Sequence, residues 1–200
     1  MRKRIEHPDK KNKIIKRYNA TSGYYEKRYS TIQYQKYNLI KDYSLKNKFI
    51  LDAGCGTGLL FDFLNNSIEV KDLVYDSYIA VDISINMLRI FKSKIKKRKR
   101  KIVDNINLIL SDLENLPIRD NVFHLIFSFT SLQNLPNIIN GVKELFRVSR
   151  NNSDVELSIL KKNLDLKEFV SFINPKIIDL KITNKDSLED IIIQGKILKE

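Results

Sequence analysis

Cys55 is the one thiol in 200 residues, so no intramolecular disulfide can form, and two histidines beside it are too few for a dedicated zinc site. Tryptophan is absent, glycine numbers six and proline four, which excludes collagen-like and Pro/Gly-rich disordered chains. No run of roughly 18 apolar residues occurs, so the pattern holds no membrane-spanning helix. Met1-Arg2-Lys3-Arg4 leads into a Lys- and Asn-rich stretch rather than the apolar centre of a signal peptide. Together these absences predict a protein of a reducing compartment, and a cytoplasmic location.

What is present suits a folded body. Hydrophobic residues make up 42% and aromatic residues 10% of the chain, and a domain of this length buries about 70% of the surface its unfolded form exposes. The formal charge of +12 is unevenly placed. Residues 1–50 carry 14 Lys/Arg against 4 Asp/Glu, and residues 91–101 carry 8 against none, so the rest of the chain is mildly acidic. Patches of this kind speed encounter with polyanions and say nothing about fold.

Residues 1–17 are polar and basic with little apolar periodicity, and are expected to be a mobile arm that turns helical near Ile14-Ile15. Tyr25, Tyr29, Ile32, Leu39, Ile40 and Tyr43 recur at three- and four-residue spacings, predicting one helix or two short ones with a break near Lys36. Seven of the nine tyrosines lie in this part. Beyond it the pattern alternates. Strands are predicted at 49–51, 78–83, 106–110, 122–129 and 155–160, and helices at 59–64, 86–97, 135–148 and 164–173. The run from Val122 to Phe129 is apolar on both faces except at His124 and Ser128, as a buried parallel strand requires. Residues 177–182 and 188–197 flank Asn184-Lys185-Asp186-Ser187 as an antiparallel hairpin. The prediction is one α/β domain: arm 1–17, helical lid 18–47, and a core over 48–200 with a mostly parallel sheet, helices on both faces and a terminal hairpin.

Between the first strand and the first core helix stands Leu51-Asp52-Ala53-Gly54-Cys55-Gly56-Thr57-Gly58. Glycines there let backbone approach a ligand, and the helix start offers free N–H groups to an anion. A tight strand-to-helix turn with no ligand would use the same residues. The dinucleotide fingerprint wants glycine at position 59, where Leu59 stands, which argues against a nicotinamide-dependent oxidoreductase. Asp82 lies 24 residues beyond Gly58, near the roughly 20-residue offset at which an acid receives a ribose diol. Asp112 closes the third strand, placed either for an amino group or for capping a turn.

The ordered set resembles the class I S-adenosylmethionine-dependent methyltransferase family, in its small form related to quinone-biosynthesis methyltransferases. The likeness rests on Ile50 to Gly58, on Val81-Asp82-Ile83-Ser84-Ile85-Asn86-Met87-Leu88, on Ser111-Asp112-Leu113 with Leu116-Pro117, and on Phe123 to Leu132, spanning about residues 48–150. It implies a Rossmann-like seven-stranded sheet whose last two strands form the hairpin, and S-adenosylmethionine as cofactor. By that resemblance Gly54, Gly56 and Gly58, with Ala53 and Cys55, would line the methionine end and Asp52 would orient its amino group. Asp82, with Ile83 and Met87, would bind the ribose side. Asp112, flanked by Ser111 and Leu113, would take the adenine, and Ser128 would close the fourth-strand end. Tyr18 and Tyr25 are similar to the family's lid tyrosines, although an amphipathic helix would also pack them as core. His124, where relatives carry Asp, and the missing Pro-Gly-Gly turn between Arg147 and Ser153 are departures.

The sulfonium methyl is already activated, so holding the nucleophile in line is the main task and a general base is optional. No strong base is evident. Ser128, Thr130, Ser131, Gln133 and Asn134 follow the fourth strand as substrate-orienting groups, and no catalytic or metal-ligating residue is assigned. The methyl acceptor is expected to be a small molecule or RNA. The run Lys92 to Lys101, with the basic arm, suggests nucleic-acid contact, while a solvated helix end reads equally well from such charges. A cofactor-binding subunit that is non-catalytic, RNA-associated or dependent on an activating protein partner is the alternative.

Overall fold

The computed structural model describes residues 7–41, 43–67, 75–98, 105–162 and 164–199. Seven strands form one sheet: β1 Phe49–Ala53, β2 Ser77–Asp82, β3 Ile106–Leu110, β4 Phe123–Phe129, β5 Ser149–Leu160, β6 Ile177–Thr183 and β7 Asp190–Ile197, in the order β3-β2-β1-β4-β5-β7-β6. The first five are parallel, and β7 runs antiparallel to both β5 and β6. This is the Rossmann-like sheet with a terminal antiparallel pair that the pattern predicts. The order reverses between β1 and β4, the place where open α/β sheets carry a crevice at their carboxyl edge.

Side chains of β1 alternate between two cores. Ile50 packs with Phe61, Tyr78, Phe91 and Phe127 on one face, under the core helices α3 (Leu59–Ser67) and α4 (Ile85–Lys96). Leu51 and Ala53 pack with Ile126, Val142 and Leu145 on the other, under α5 (Ile138–Val148) and α6 (Leu166–Ile173). A strand buried on both faces reads as a continuous apolar run, which is why period-two alternation is missing from it. The helix starts are capped: Ser84 accepts from the Met87 amide, Asn137 from Ile139 and Asn140, and Asp165 from Glu168.

Several boundaries differ from the sequence reading. Helix α1 spans His7–Thr21 and α2 spans Tyr25–Tyr37, with a 3-10 turn at Ser22–Tyr24, so the break falls twelve or more residues before Lys36. Of the predicted arm, residues 1–6 lie outside the described residues and 7–17 belong to α1. Leu135 stays out of α5, because a residue ahead of proline is disfavoured in the α region and Asn137 then caps the helix. Strand β5 begins at Ser149 rather than 155, pairing with Phe123 ahead of a register shift in β4.

Candidate functional site

At the end of β1 the chain turns on its glycines. The Gly54 and Cys55 amides both donate to Val81 O, at 2.8 and 3.0 Å, tying the turn to β2. A methyl group at Gly58 would stand 2.4 Å from the Phe91 ring, so this glycine lets α3 approach α4. Gly56 has a different reason. Its φ is +54° and a Cβ there would meet nothing nearer than the Tyr25 ring at 3.9 Å, so the side chain it lacks would project into open space beside the turn.

That space is a cleft at the carboxyl edge of the sheet. Gly54, Gly56, Asp82, Ile83, Met87, Asp112 and Leu113 stand on its wall together with Tyr18 and Tyr25. The remaining sequence-predicted residues support the wall from behind. Cys55 is buried, and burial pushes its thiol well above the ordinary range. Ser128 is fully buried and donates to Ala53 O at 3.0 Å, joining β4 to β1, while Ser131 donates to the same oxygen and does face the cleft. Gly58 packs on Phe91, and the Ser111 hydroxyl turns to backbone carbonyls of Asp112 and Asn115.

Three acids take different roles. Each carboxylate oxygen of Asp82 accepts one backbone N–H at 2.8 Å, from Gly56 and from Ser84, leaving lone pairs for the cleft. Burial raises its pKa against the lowering effect of the Ser84, Gly56 and Ile83 amides. Asp52 is buried beneath the turn with Tyr78 Oη donating to it at 2.8 Å. Burial and the nearby Asp82 charge lift it to about 7 despite that bond. Asp112 accepts the Glu114 amide at 2.9 Å and meets Lys11 of α1, whose ammonium lies 2.5 Å from it and 2.8 Å from Glu114. Burial alone would lower the Lys11 pKa, but these two carboxylates outweigh it and raise it.

Helix α1 closes over the cleft through further contacts. Asn134 donates to Tyr18 Oη at 3.0 Å, the Asn19 side chain accepts from the Ser84 hydroxyl at 2.7 Å, and Tyr18 meets Tyr25 edge-on at 6.4 Å. Ile14 and Lys11 complete the wall. Neither they nor Asn19 carried a motif signal; only the sparse apolar spacing of the arm hinted at a packed helix.

A second cavity of about 550 Å³ adjoins the cleft, sharing Tyr18, Tyr25, Thr130 and Asn134 with it. Its buried floor holds an ion pair between Lys36 and Asp190 at 2.8 Å, with the Thr130 hydroxyl 2.7 Å from Lys36 and 2.9 Å from Asp190. Thr130 adopts φ +54°, an uncommon conformation for a β-branched residue and one that concentrates at functional positions. The sequence reading passed over Gln33, Lys36 and Asp190. Their signal was a polar residue on an otherwise apolar face: Gln33 and Lys36 with Tyr37 at helical spacing, and Asp190 leading Ile191-Ile192-Ile193.

Other sequence candidates sit elsewhere. His124 is at the amino end of the sheet, where the Phe49 amide donates to Nδ1 at 3.0 Å and Arg150 contacts Nε2 at 2.8 Å. Burial, with Arg150 and Lys48, lowers its pKa. In the basic run, Lys94 pairs with Asp62 at 2.7 Å and with Glu26, and Arg98 pairs with Asp62 at 2.5 Å; residues 99–101 lie outside the described residues. Among the described residues no metal-ligating trio clusters and no helix is long and apolar enough to cross a membrane.

Known proteins resemble this chain in family, in sequence and in fold. A family model described as a methyltransferase domain matches residues 50–152, which takes in the glycine turn, β2, β3 and β4. A demethylmenaquinone methyltransferase of Lactococcus lactis is 30% identical over 137 residues, covering 66% of this chain and 52% of that protein, so the chain spans about half the relative's length. In fold, it superposes on magnesium protoporphyrin IX methyltransferase from Synechocystis PCC 6803, solved with bound S-adenosylmethionine, at TM-score 0.70 and 15% identity over 98% of this chain and 99% of that one. A putative S-adenosylmethionine-dependent methyltransferase from Methanococcus maripaludis aligns at TM-score 0.62 and 20% identity, covering 100% and 97%.

Proposed function

The chain belongs to the methyltransferase domain family, and from that premise we propose that it transfers a methyl group from S-adenosylmethionine to a small-molecule acceptor. The carrying observation is the cleft itself: a glycine whose missing side chain leaves room, beside a half-buried acid that lines the cleft and is held by backbone amides, at the switch point of the sheet. This donor set fits the cofactor. Asp82 would accept from the ribose hydroxyls, Asp112 from the adenine amino group, and Gly54 and Gly56 would let the methionine end lie against backbone. Asp52, supported by Tyr78, would attract the ammonium from beneath. Ala53, Cys55, Gly58, Ser111 and Ser128 would hold this wall in shape, while Ile83, Met87 and Leu113 supply its apolar surface. Tyr18 and Tyr25 would cover the site and exclude water.

The cofactor, when bound, would supply an electrophilic methyl group whose leaving group is a neutral thioether. The protein's part is alignment, since effective concentration in a fixed geometry supplies most of such a barrier reduction. Thr130 and Asn134 stand where cleft and second cavity meet, in position to orient an acceptor. The relatives named as demethylmenaquinone methyltransferases support a small acceptor. RNA is less favoured, because Lys94 and Arg98 are already committed to protein carboxylates.

Calorimetric titration with S-adenosylmethionine, S-adenosylhomocysteine and NAD tests this reading. Micromolar binding of the two sulfur compounds, weakened about 100-fold by Asp82→Ala, with none for NAD, is the expected result; two charge-assisted hydrogen bonds lost together are worth roughly 3 kcal/mol. Absence of sulfur-cofactor binding by the intact protein would withdraw it.

A further inference from the structure

We propose that the second cavity binds an anionic aromatic acceptor: a planar ring with hydrogen-bonding edge atoms that carries a carboxylate or phosphate. The proposal rests on the methyltransferase reading of the adjoining cleft and names the class of molecule that would be methylated.

The floor gives the first argument. Gln33 is 4% exposed, and its amide nitrogen points to Thr130 Oγ1 at 3.4 Å while its Oε1 has no partner. Gln133 repeats the arrangement: Nε2 donates to Thr130 O at 2.6 Å and Oε1 has no partner. Both glutamines line the cavity while these two oxygens are covered by protein, so they mark a polar floor rather than two open acceptors. Lys36 adds the opposite sign. Its ammonium stands 2.8 Å from Asp190 and donates to Thr130 Oγ1 at 2.7 Å, in the floor of the cavity that Lys36 lines. A floor of amide, hydroxyl and ammonium groups suits a ring edge bearing a hydroxyl, oxo or amide group.

The walls and mouth give the second. Tyr24, Tyr25 and Tyr29 supply aromatic surface, with Tyr24 76% exposed and Tyr25 4.9 Å from Tyr29 by ring centroids. At the mouth, Arg17 and Arg28 are exposed, have no carboxylate partner among the described residues, and are held against the Tyr18 and Tyr29 rings at 5.7 and 5.3 Å. Two exposed guanidinium groups lining one cavity suit a carboxylate or phosphate. Glu189, the exposed acid of the lining, stands at the β7 end and sets the anion toward the arginine side.

The lining also separates this acceptor from an isoprenoid one. Only Ala20, Ile32 and Leu160 are aliphatic among its described side chains, too few to cover a long hydrocarbon tail.

The test uses the full chain saturated with S-adenosylhomocysteine and 4-nitrophenyl phosphate as probe. The chain has nine tyrosines and no tryptophan, so nitrophenyl absorption at the cavity quenches tyrosine emission directly. Expected is saturable quenching that weakens at least tenfold in Arg17→Gln/Arg28→Gln and three- to tenfold in Gln33→Leu, with neutral 4-nitroanisole binding far more weakly. S-adenosylhomocysteine affinity, read by calorimetry, should be unchanged in every variant. The proposal is overturned by absent quenching while S-adenosylhomocysteine still binds, by equal quenching in the arginine variant, or by a prenylated naphthoquinol that displaces the probe more strongly than benzoate does. Retained probe binding without S-adenosylhomocysteine binding would overturn the methyltransferase reading alone.

Discussion

The two hollows of this molecule are made of different material. The cleft has a backbone base: it comes from a turn of eight residues, from the ends of β1, β2 and β3, and from amides that fix Asp82 in place, with side chains of α1 closing over it. The second cavity is built from side chains that meet only in three dimensions, with Gln33 and Lys36 on α2, Thr130 and Gln133 after β4, and Asp190 at the start of β7. A backbone site is written contiguously, because φ above zero and close strand-to-helix packing select glycine at fixed offsets. A side-chain site can draw its members from anywhere. Substitutions chosen away from the shared residues should therefore perturb one hollow without the other.

Breaking the second hollow should produce the largest effect. Asp190→Asn leaves Lys36 charged, buried and without its carboxylate, and loss of one partner of such a pair costs about 3–5 kcal/mol. Lys36→Met together with Asp190→Asn should recover most of that loss, because the apolar stem of methionine fills the same volume without a charge to desolvate. Urea unfolding of the three variants checks this, and S-adenosylhomocysteine affinity in the double variant should stay within about threefold of the parent. A large fall in that affinity would mean that the two hollows are one energetic unit.

Asp52 sharpens the contrast from the cleft's side. Its folded pKa of about 7 stands above the ordinary 3.8, so the folded state prefers the proton. The sign is then set: this carboxyl is harmless below pH 4, and stability is lost as pH rises from there through 7. Asp52→Asn keeps an acceptor for Tyr78 Oη and removes the charge. Relative to that variant the parent should lose roughly 2–3 kcal/mol between pH 5 and pH 8, measured by denaturant midpoint. Cofactor affinity should move oppositely, rising with pH through about 7 as the ammonium meets an ionised Asp52, and going flat in the variant. Equal pH profiles of stability would place Asp52 in a wetter setting than its burial indicates.

A smaller effect separates shape from chemistry at the cleft's adenine end. Arg147 donates to Leu116 O at 3.0 Å and Ile118 O at 2.8 Å while pairing with Glu144 and Asp120, and so pins the loop that follows Asp112. Arg147→Ala should cost about 1–2 kcal/mol in thermal or urea unfolding through these lost bonds. It should also weaken S-adenosylhomocysteine a few-fold, and leave 4-nitrophenyl phosphate quenching intact because that loop is not part of the second cavity.

This division also explains which parts of the molecule were legible from residues alone. The strands β1 to β4, the glycine turn and Asp82 were readable because each is a local pattern: an apolar run, a turn that only glycine makes, an acid at a fixed offset. β5 was read six residues short, since Arg150-Asn151-Asn152 carries no strand signature and is held by its partner β4. The hairpin was seen, but not that β7 inserts between β5 and β6, which is a matter of pairing rather than composition. Lys36 and Asp190 escaped notice because each alone looks like an ordinary surface charge, and only the 2.8 Å between them across 154 positions of sequence makes them a pair. Likewise Ser128 shared a motif with Ser131, yet burial assigns one to the wall's support and the other to its surface.

The smallest effect is the one that joins the two regions. Helix α1 belongs to both: Tyr18 lines each hollow, Arg17 the second, Lys11 the first. Lys11 presents an ammonium to Asp112 and Glu114, so it occupies an oxygen that the proposed adenine amino group needs. With the side chain a third exposed, the contact is screened and worth at most about 1 kcal/mol. Lys11→Met frees Asp112 while preserving the aliphatic stem, so S-adenosylhomocysteine should bind three- to fivefold more tightly, with the difference shrinking as salt is raised. Adenosine, which carries the same amino group, should gain by the same factor, whereas 4-nitrophenyl phosphate should not respond. Weaker nucleoside binding in Lys11→Met would show that the lysine holds α1 shut over the cofactor rather than competing for its acid, and calorimetry of both ligands at two salt concentrations tells the two apart.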